Sequence, residues 1–226
     1  MIRWLLPALL IIVQTAYAAP KEIKAVYQYA RNGQVVATVT ETFTQSGGKY
    51  KVESVTEGID AYKLLGKLRR TSEGEVTKDG LRPVRFEQQA DLGKSVSADF
   101  DWASGQLTMK YKNKTVTAEL ELGTQDLASF AYQFMFKPPR GKDVFMPVTT
   151  GRKLKLYHYK ITEQNTAVQT KAGKYNATHL VDAEAGDEQR EIWLSAEARY
   201  IPVRIVAVDD DGVKNEQTLT SLHVVE

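Results

Sequence analysis

Apolar and polar residues alternate with a period of two over most of the chain beyond residue 24, the pattern of strands that bury one face. Three stretches show it most clearly. Val96, Ala98, Phe100 and Trp102 alternate with polar residues, as do Leu107, Met109 and Tyr111, and then Val116, Ala118, Leu120 and Leu122. Short polar joints at Ala103, Ser104 and Gly105, and at Lys112, Asn113 and Lys114, make these three a predicted meander. Upstream, Asn32 and Gly33 tolerate the positive φ of a type I′ turn, which predicts residues 24–31 paired antiparallel with 34–44. Gly47 and Gly48 mark the next reversal. Further strands are expected at 49–57, 67–78 and 84–89, with Asp79 and Gly80 turning the chain between the last two.

One segment changes period. In 126–136 the apolar side chains fall at steps of three and four, with Leu127, Phe130, Ala131 and Phe134 on one stripe of a predicted helix. Asp126 stands where it can cap the free N–H groups, and Pro138 and Pro139 end the helix. An aromatic stripe on a lone helix must be covered, which predicts a mainly β fold. Its expected form is a strongly curved antiparallel sheet, or incomplete β-barrel, wrapped around this one mid-chain α-helix. After a Pro- and Gly-rich connection at 137–142, strands are expected at 153–162, 167–170, 174–183, 190–194, 203–209 and 216–225. Turn pairs stand at Ala172 and Gly173, Ala185 and Gly186, and Asp211 and Gly212. No internal repeat or composition change interrupts the pattern, so residues 19–226 read as one domain; a division within 137–142 is the alternative.

The first eighteen residues belong to a different category. Arg3, an apolar run over 4–13 and the small-residue ending Ala16, Tyr17 and Ala18 form the pattern of a cleavable secretory signal, 1–18. The run contains Pro7 and is shorter than the ~20 apolar residues needed to span a bilayer. The expected product is exported, periplasmic and soluble, without a transmembrane segment after cleavage. Attachment as a bacterial lipoprotein needs a cysteine, and the sequence contains 0. Disulfides and thiol redox chemistry are thereby excluded, and burial and hydrogen bonding must hold the fold. Lys and Arg number 30 against 28 Asp and Glu, a net +2, which argues against a nucleic-acid partner.

Candidate chemistry is sparse. His158, His179 and His223 fall in predicted strands at separations that match no metal pattern, so neither a metal nor another cofactor is expected. There is no nucleophile elbow, P-loop or dinucleotide fingerprint. Asp209, Asp210, Asp211 and Gly212 read as a hairpin turn rather than a calcium loop, since strands flank them. The triplets at Asn113 and Asn176 match a glycosylation acceptor and receive no function. Two basic clusters, Lys67 with Arg69 and Arg70, and Arg152 with Lys153 and Lys155, read first as solvated strand faces, with an anionic-headgroup site as the alternative.

Ordered blocks carry a family resemblance. Asp126 and Leu127 open the aromatic helix; Pro147 and Val148 precede Gly151, Arg152, Lys153 and Leu154; Ala172, Gly173, Lys174 and Tyr175 precede Ala177 and Leu180. Trp193, Leu194 and Ser195 follow, then Ile201 through Ile205, while Gly80, Leu81, Arg82 and Pro83 and the hairpin at 29–33 fit upstream. In these blocks the chain resembles exported bacterial proteins grouped as domain of unknown function 3108. The resemblance implies a location and an architecture like the unclosed barrels of lipoprotein carriers, and no site residues. The resulting expectation is a non-enzymatic envelope protein that binds a lipid or other apolar ligand, or a lipoprotein, between sheet and helix. Its lining would be Phe100, Trp102, Met109, Tyr111, Phe130 and Phe134, which an ordinary packed core would equally explain. Two other readings are a scaffold that holds a partner at a sheet edge, and an envelope hydrolase using carboxylates among Glu53, Glu57, Glu73 and Asp99, whose strand positions face solvent.

Overall fold

The computed structural model describes residues 20–184 and 188–226. The predicted signal and the turn at Ala185 and Gly186 lie outside the described residues. The chain forms β1 (Glu22–Arg31), β2 (Gln34–Ser46), β3 (Lys49–Gly58), β4 (Lys67–Thr77), β5 (Gly80–Ala90), β6 (Val96–Asp101), β7 (Gln106–Tyr111) and β8 (Lys114–Glu119). A two-residue strand β9 (Gln125–Asp126) and the helix α1 (Phe130–Phe136) follow. Then come β10 (Asp143–Thr149), β11 (Leu154–Thr170), β12 (Gly173–Asp182), β13 (Glu188–Leu194), β14 (Pro202–Asp209) and β15 (Lys214–Val225).

All of these strands lie in one sheet, ordered β8-β7-β6-β5-β4-β3-β2-β1-β15-β14-β13-β12-β11-β10-β9. The order is that of two meanders joined at their centre, where the first and last strands pair with Tyr27 opposite Leu219. Every pairing is antiparallel except β9 with β10. The sheet is open and mixed, not closed into a barrel: β8 and β9 are its two edges. Tight turns set the register. Asn32 (φ 47°) with Gly33 (φ 82°), and Lys112 (φ 47°) with Asn113 (φ 61°), hold the left-handed geometry of two-residue hairpins.

Between β8 and β9 the chain passes from one edge of the sheet to the other, and α1 follows at once. Helix and sheet meet at named points. Phe43 of β2 stacks on Tyr132 at 5.5 Å between ring centres, and Phe130 meets Tyr157 of β11 edge-on at 6.2 Å. Gln133 accepts from the Leu81 N–H at 2.7 Å and donates to the Asp79 carbonyl at 3.0 Å. Gly80 is required there: its φ is +95°, and a Cβ would collide with the Gln133 amide. The two wings also touch, since Thr149 of β10 donates to Met109 Sδ of β7 at 3.2 Å and Gly151 packs against Val96 and Phe86. One continuous apolar cluster runs through both wings and α1.

Four sequence expectations need correction. The helix is shorter than predicted because Asp126 belongs to β9; its carboxylate accepts from the N–H groups of Ala128 (2.8 Å) and Ser129 (2.9 Å), capping a turn that precedes the helix. Strand β10 was hidden by Pro147, which survives because β10 has a neighbour along its full length on one side only, β9 being two residues long. The stretches 153–162 and 167–170 form one bulged strand, β11, with Asn165 at φ 59° in the irregular middle. Finally, β8 buries its apolar face only in part: as an edge strand it leaves Val116 40% exposed, and Leu122 lies beyond it at 92%, while Ala118 packs on the core and Leu120, just past the strand, is buried. Among the described residues no helix is long and apolar enough to cross a membrane.

Candidate functional site

Residues directly opposed across a sheet share a face, so the register can be read as rows. On the face that meets α1, Ile23, Phe43, Val52, Ser72, Phe86, Ala98 and Met109 form one row. All seven are buried. The neighbouring row differs: Ala25, Glu41, Ser54, Arg70, Gln88, Val96 and Tyr111. A polar segment, Glu41 to Gln88, thus crosses four strands on an otherwise apolar face.

The row is wired together. Ser54 donates to Glu41 Oε1 at 3.3 Å, Tyr132 of α1 donates to Glu41 Oε2 at 3.2 Å, and Arg70 Nε donates to Gln88 Oε1 at 2.9 Å. Burial raises the Glu41 carboxyl above its ordinary range, against the lowering effect of hydrogen bonds from Tyr132, Ser54 and Gln217 and the charge of Arg70. Burial also lowers Arg70, helped by the like charge of Arg190, while Glu41 counteracts both. Among the described residues no carboxylate comes within ion-pair distance of Arg70. Glu41 and Arg70 each keep some accessible surface even though protein surrounds them closely enough for desolvation to dominate. Glu41 and Arg70 thus form a half-buried polar floor on the helix side of the sheet.

The facing wall comes from the other wing. Arg190 of β13 holds its guanidinium 5.2 Å from the ring centre of Tyr157 and 6.0 Å from that of Phe130, and donates to Glu188 Oε1. Burial works against its charge, but Tyr159, Tyr157 and Glu188 outweigh it and hold the guanidinium protonated. Tyr159 is itself pushed up to about 12, chiefly by burial. Tyr29 of β1 lies between the walls, donating to Asn215 Oδ1 at 2.8 Å and sensing both Arg70 and Glu188. The neighbouring Tyr27 hydroxyl is buried with no hydrogen-bond partner among the described residues.

Next to this charged floor lies a mainly apolar recess. A cavity of about 280 Å³ is lined by Tyr29, Ala37, Thr56, Leu68 and Ala90 on the sheet and by Tyr62 and Leu65 from the 3₁₀ turn Asp60–Leu65, with the exposed cations Arg31 and Lys67 also in its lining. Leu64, Leu65 and Leu92 stand 84%, 67% and 71% exposed on two loops tied together by Asp91, which accepts from the Lys67 N–H at 2.9 Å. A wider depression of about 680 Å³ at 44–51, 73–75 and 84–85 is open and lined by mixed charges such as the Lys51–Glu73 pair at 3.0 Å.

The residues chosen from sequence have separate fates. Phe100, Met109, Phe130 and Phe134 are buried in the common core, with Trp102 and Tyr111 partly exposed. Phe100 stacks on Trp102 at 6.2 Å, and Trp102 donates its indole N–H to the Pro83 carbonyl at 2.6 Å. None of the six lines the 280 Å³ cavity, and of the six only Phe130 has a guanidinium ring contact with the charged floor. The four acids face outward in ion pairs: Glu53 with Arg69, Glu57 with Lys67, Glu73 with Lys51, Asp99 with Lys110. His158 meets Asp143 at 2.8 Å and His179 meets Glu191 at 2.8 Å, with no group of three potential metal ligands among the described residues. Sequence reasoning missed Glu41 and Arg190 and merged Arg70 with its outward neighbours. The missing signal was parity: Glu41 is in step with Val39 and Phe43, and Arg190 with Ile192 and Leu194.

Fold and site together define a class: a large open β-sheet carrying one helix, with a charged and partly apolar recess on the helix side. The family model described as a protein of unknown function (DUF3108) matches residues 24–218, and the chain belongs to that family. No curated protein matches the sequence. Among solved structures, an outer membrane lipoprotein-sorting protein domain from Vibrio parahaemolyticus aligns over 90% of this chain and 85% of its own, at 7% identity and a TM-score of 0.25. At that score the likeness carries no argument about function.

Proposed function

We propose that the protein is an exported, non-enzymatic component of the bacterial envelope that binds an apolar or amphiphilic ligand between its sheet and α1. The sheet, in this reading, is a single domain of residues 19–226 wrapped around the helix, and the leader at 1–18 delivers it to the periplasm. The observation that carries the reading is the 280 Å³ cavity with its mainly apolar lining, opening onto the same face as α1. Its size lies just below the roughly 300 Å³ at which ligand pockets start, which suits one short chain. Phe130 and Phe134 would wall the recess on the helix side, with Phe100, Met109 and Tyr111 supporting it from β6 and β7 and Trp102 from the turn between them. Native mass spectrometry of the protein purified from a bacterial periplasm, paired with binding of a fluorescent fatty acid, tests this. A co-purified lipid or saturable binding is expected; a bare protein that also ignores the probe would end the proposal.

A second reading rests on a different feature. Strand β8 is an exposed edge whose outer backbone groups have no strand beside them among the described residues, which suits a scaffold that adds a partner's strand. Lys112 and Lys114 at its start are the charges that keep such an edge from pairing indiscriminately. Cross-linking in cells from a photoreactive residue at position 116 would recover a defined partner if this edge is used, and only monomer if it is not.

A further inference from the structure

We infer that Arg70 and Arg190 form an anion site for the head of the ligand, so that the molecule held is an amphiphile with a carboxylate or phosphate group and an apolar chain. This rests on the ligand-binding reading above and narrows it to a chemical class.

Three observations support it. First, Arg70 is a cation withdrawn from bulk water with a single hydrogen bond from Nε to Gln88, no ion pair among the described residues, and a second guanidinium near enough to act on it. Glu41 acts on it electrostatically but forms no ion pair with it, and a guanidinium carries five N–H donors of which one is used here, so the remaining fork is suited to an anion. Second, Arg190 of the other wing carries a like charge that acts on Arg70 and stands beside Phe130 of α1, the helix whose Tyr132 bonds to Glu41 in the Arg70 row; guanidinium forks match the planar geometry of carboxylate and phosphate oxygens. Arg190 is partly neutralised by Glu188 and braced by Tyr157, which holds it in place without satisfying Arg70. Third, head and chain sites adjoin. Leu68, which lines the cavity, and Arg70 share a face of β4 two residues apart, about 7 Å along a strand. Tyr29 lines the cavity and also lies within the electrostatic reach of Arg70. A chain in the cavity therefore brings its head within reach of Arg70 when it points along β4 toward Ser72, and away from Arg31 and Lys67, which line the cavity itself.

The experiment uses four probes that differ in head or chain only: decanoate, decyl phosphate, decanol and inorganic phosphate, titrated calorimetrically into the protein at neutral pH. Decanoate and decyl phosphate should bind at least about tenfold more tightly than decanol. In Arg70→Gln and Arg190→Gln that preference should shrink towards unity, whereas Arg69→Gln, on the outer face, should keep it. Arg70→Lys retains charge without the fork and should keep part of the preference, which covers the case in which the glutamine variant fails to fold. Equal binding of decanoate and decanol by the native protein refutes the anion site and leaves apolar binding standing. Silence from all four probes removes both readings. Inorganic phosphate binding as tightly as decyl phosphate supports the anion site and overturns the amphiphile.

Discussion

Arg69 and Arg70 are adjacent in the chain and opposite in their physics. Arg69 points outward from β4, pairs with Glu53 and is 47% exposed. Arg70 points to the helix side, has no carboxylate partner among the described residues, and sits in a row with Glu41, Ser54 and Gln88. The outer face of this wing repeats the first pattern: Lys51 with Glu73, Lys67 with Glu57, Lys110 with Asp99, all solvent-exposed. Charges on that face are numerous, paired and weakly stabilising. Charges on the inner face are few and dearly bought in desolvation, so their presence asks for a use beyond folding.

The largest expected effect comes from emptying the inner face. Phe43 is fully buried and touches three rings, Tyr132 at 5.5 Å, Phe136 at 6.3 Å and Tyr50 at 6.4 Å. Replacing it by alanine removes that contact and leaves a cavity under α1, for a loss of about 3–5 kcal/mol in chemical denaturation. Val116→Ala on exposed β8 should cost less than about 0.5 kcal/mol. Val116 lies opposite Met109 on the same face, so if the two variants melt alike, the contrast between the packed centre of that face and its open edge is wrong.

The next effect depends on pH. Asp126 is fully buried, and burial raises its carboxyl from 3.8 to about 6 against the lowering effect of bonds from Ser72, Ser129 and Ala128. Between those values the folded state binds more protons than the unfolded one, so stability contributed by this group is present below about pH 4 and is lost as pH rises through about 6. Two pH units correspond to about 3 kcal/mol. Asp126→Asn keeps an acceptor for the turn and removes the titration. The stability difference between Asp126→Asn and the native protein should therefore shift in favour of the variant between pH 4 and 7. A difference that stays flat over that interval would show that Asp126 titrates normally.

How much of this could be read beforehand divides along the same two faces. Period two located nearly every strand, because alternate residues such as Val52, Phe86, Ala98 and Leu107 face one core. The lone helix showed through Phe130 and Phe134 because no strand has a three- and four-residue step. Strand β10 escaped because proline is judged locally, whereas its tolerance depends on how long a neighbour β9 happens to be. The recess escaped for a related reason. Around Arg70 the inward positions of β4 are Leu68, Arg70 and Ser72, so the apolar rhythm that would betray the inner face is broken by the polar residues themselves. Parity on better-patterned neighbours, such as Val39 and Phe43 around Glu41, carries the information. Proximity of Arg70 to Arg190 requires two wings separated by over a hundred residues to meet, and no local pattern encodes that.

The link between helix and polar row gives a smaller, more specific effect. Tyr132→Phe removes the hydroxyl that donates to Glu41 Oε2 at 3.2 Å while keeping the ring stacked on Phe43. The carboxylate retains Ser54, so the expected loss is about 1–2 kcal/mol, measured by denaturant titration. No change would mean that the Glu41 oxygen is satisfied by water and that the recess is wetter at this point than its lining implies.

The smallest effect is the sharpest test of the opening contrast. Arg69→Ala deletes one charge of an exposed pair whose Glu53 partner remains about a third exposed and free to solvate. Double-mutant cycles on such pairs give about 0.2–1 kcal/mol, screened by salt, so the loss should fall below about 1 kcal/mol and fade in high salt. Arg70→Ala removes the same chemical group one residue later, but with different consequences for the inner face. Glu41 loses the cation that lowers its carboxyl, Gln88 loses its donor, and the repulsion on Arg190 is relieved. The gain and the losses oppose each other, and partly buried charges are screened less by salt than exposed ones. The two variants therefore separate by their salt response rather than by size alone: Arg69→Ala converges on the native protein as salt rises, and Arg70→Ala does not. Convergence of both would place Arg70 in bulk solvent and remove the basis for treating the two faces differently.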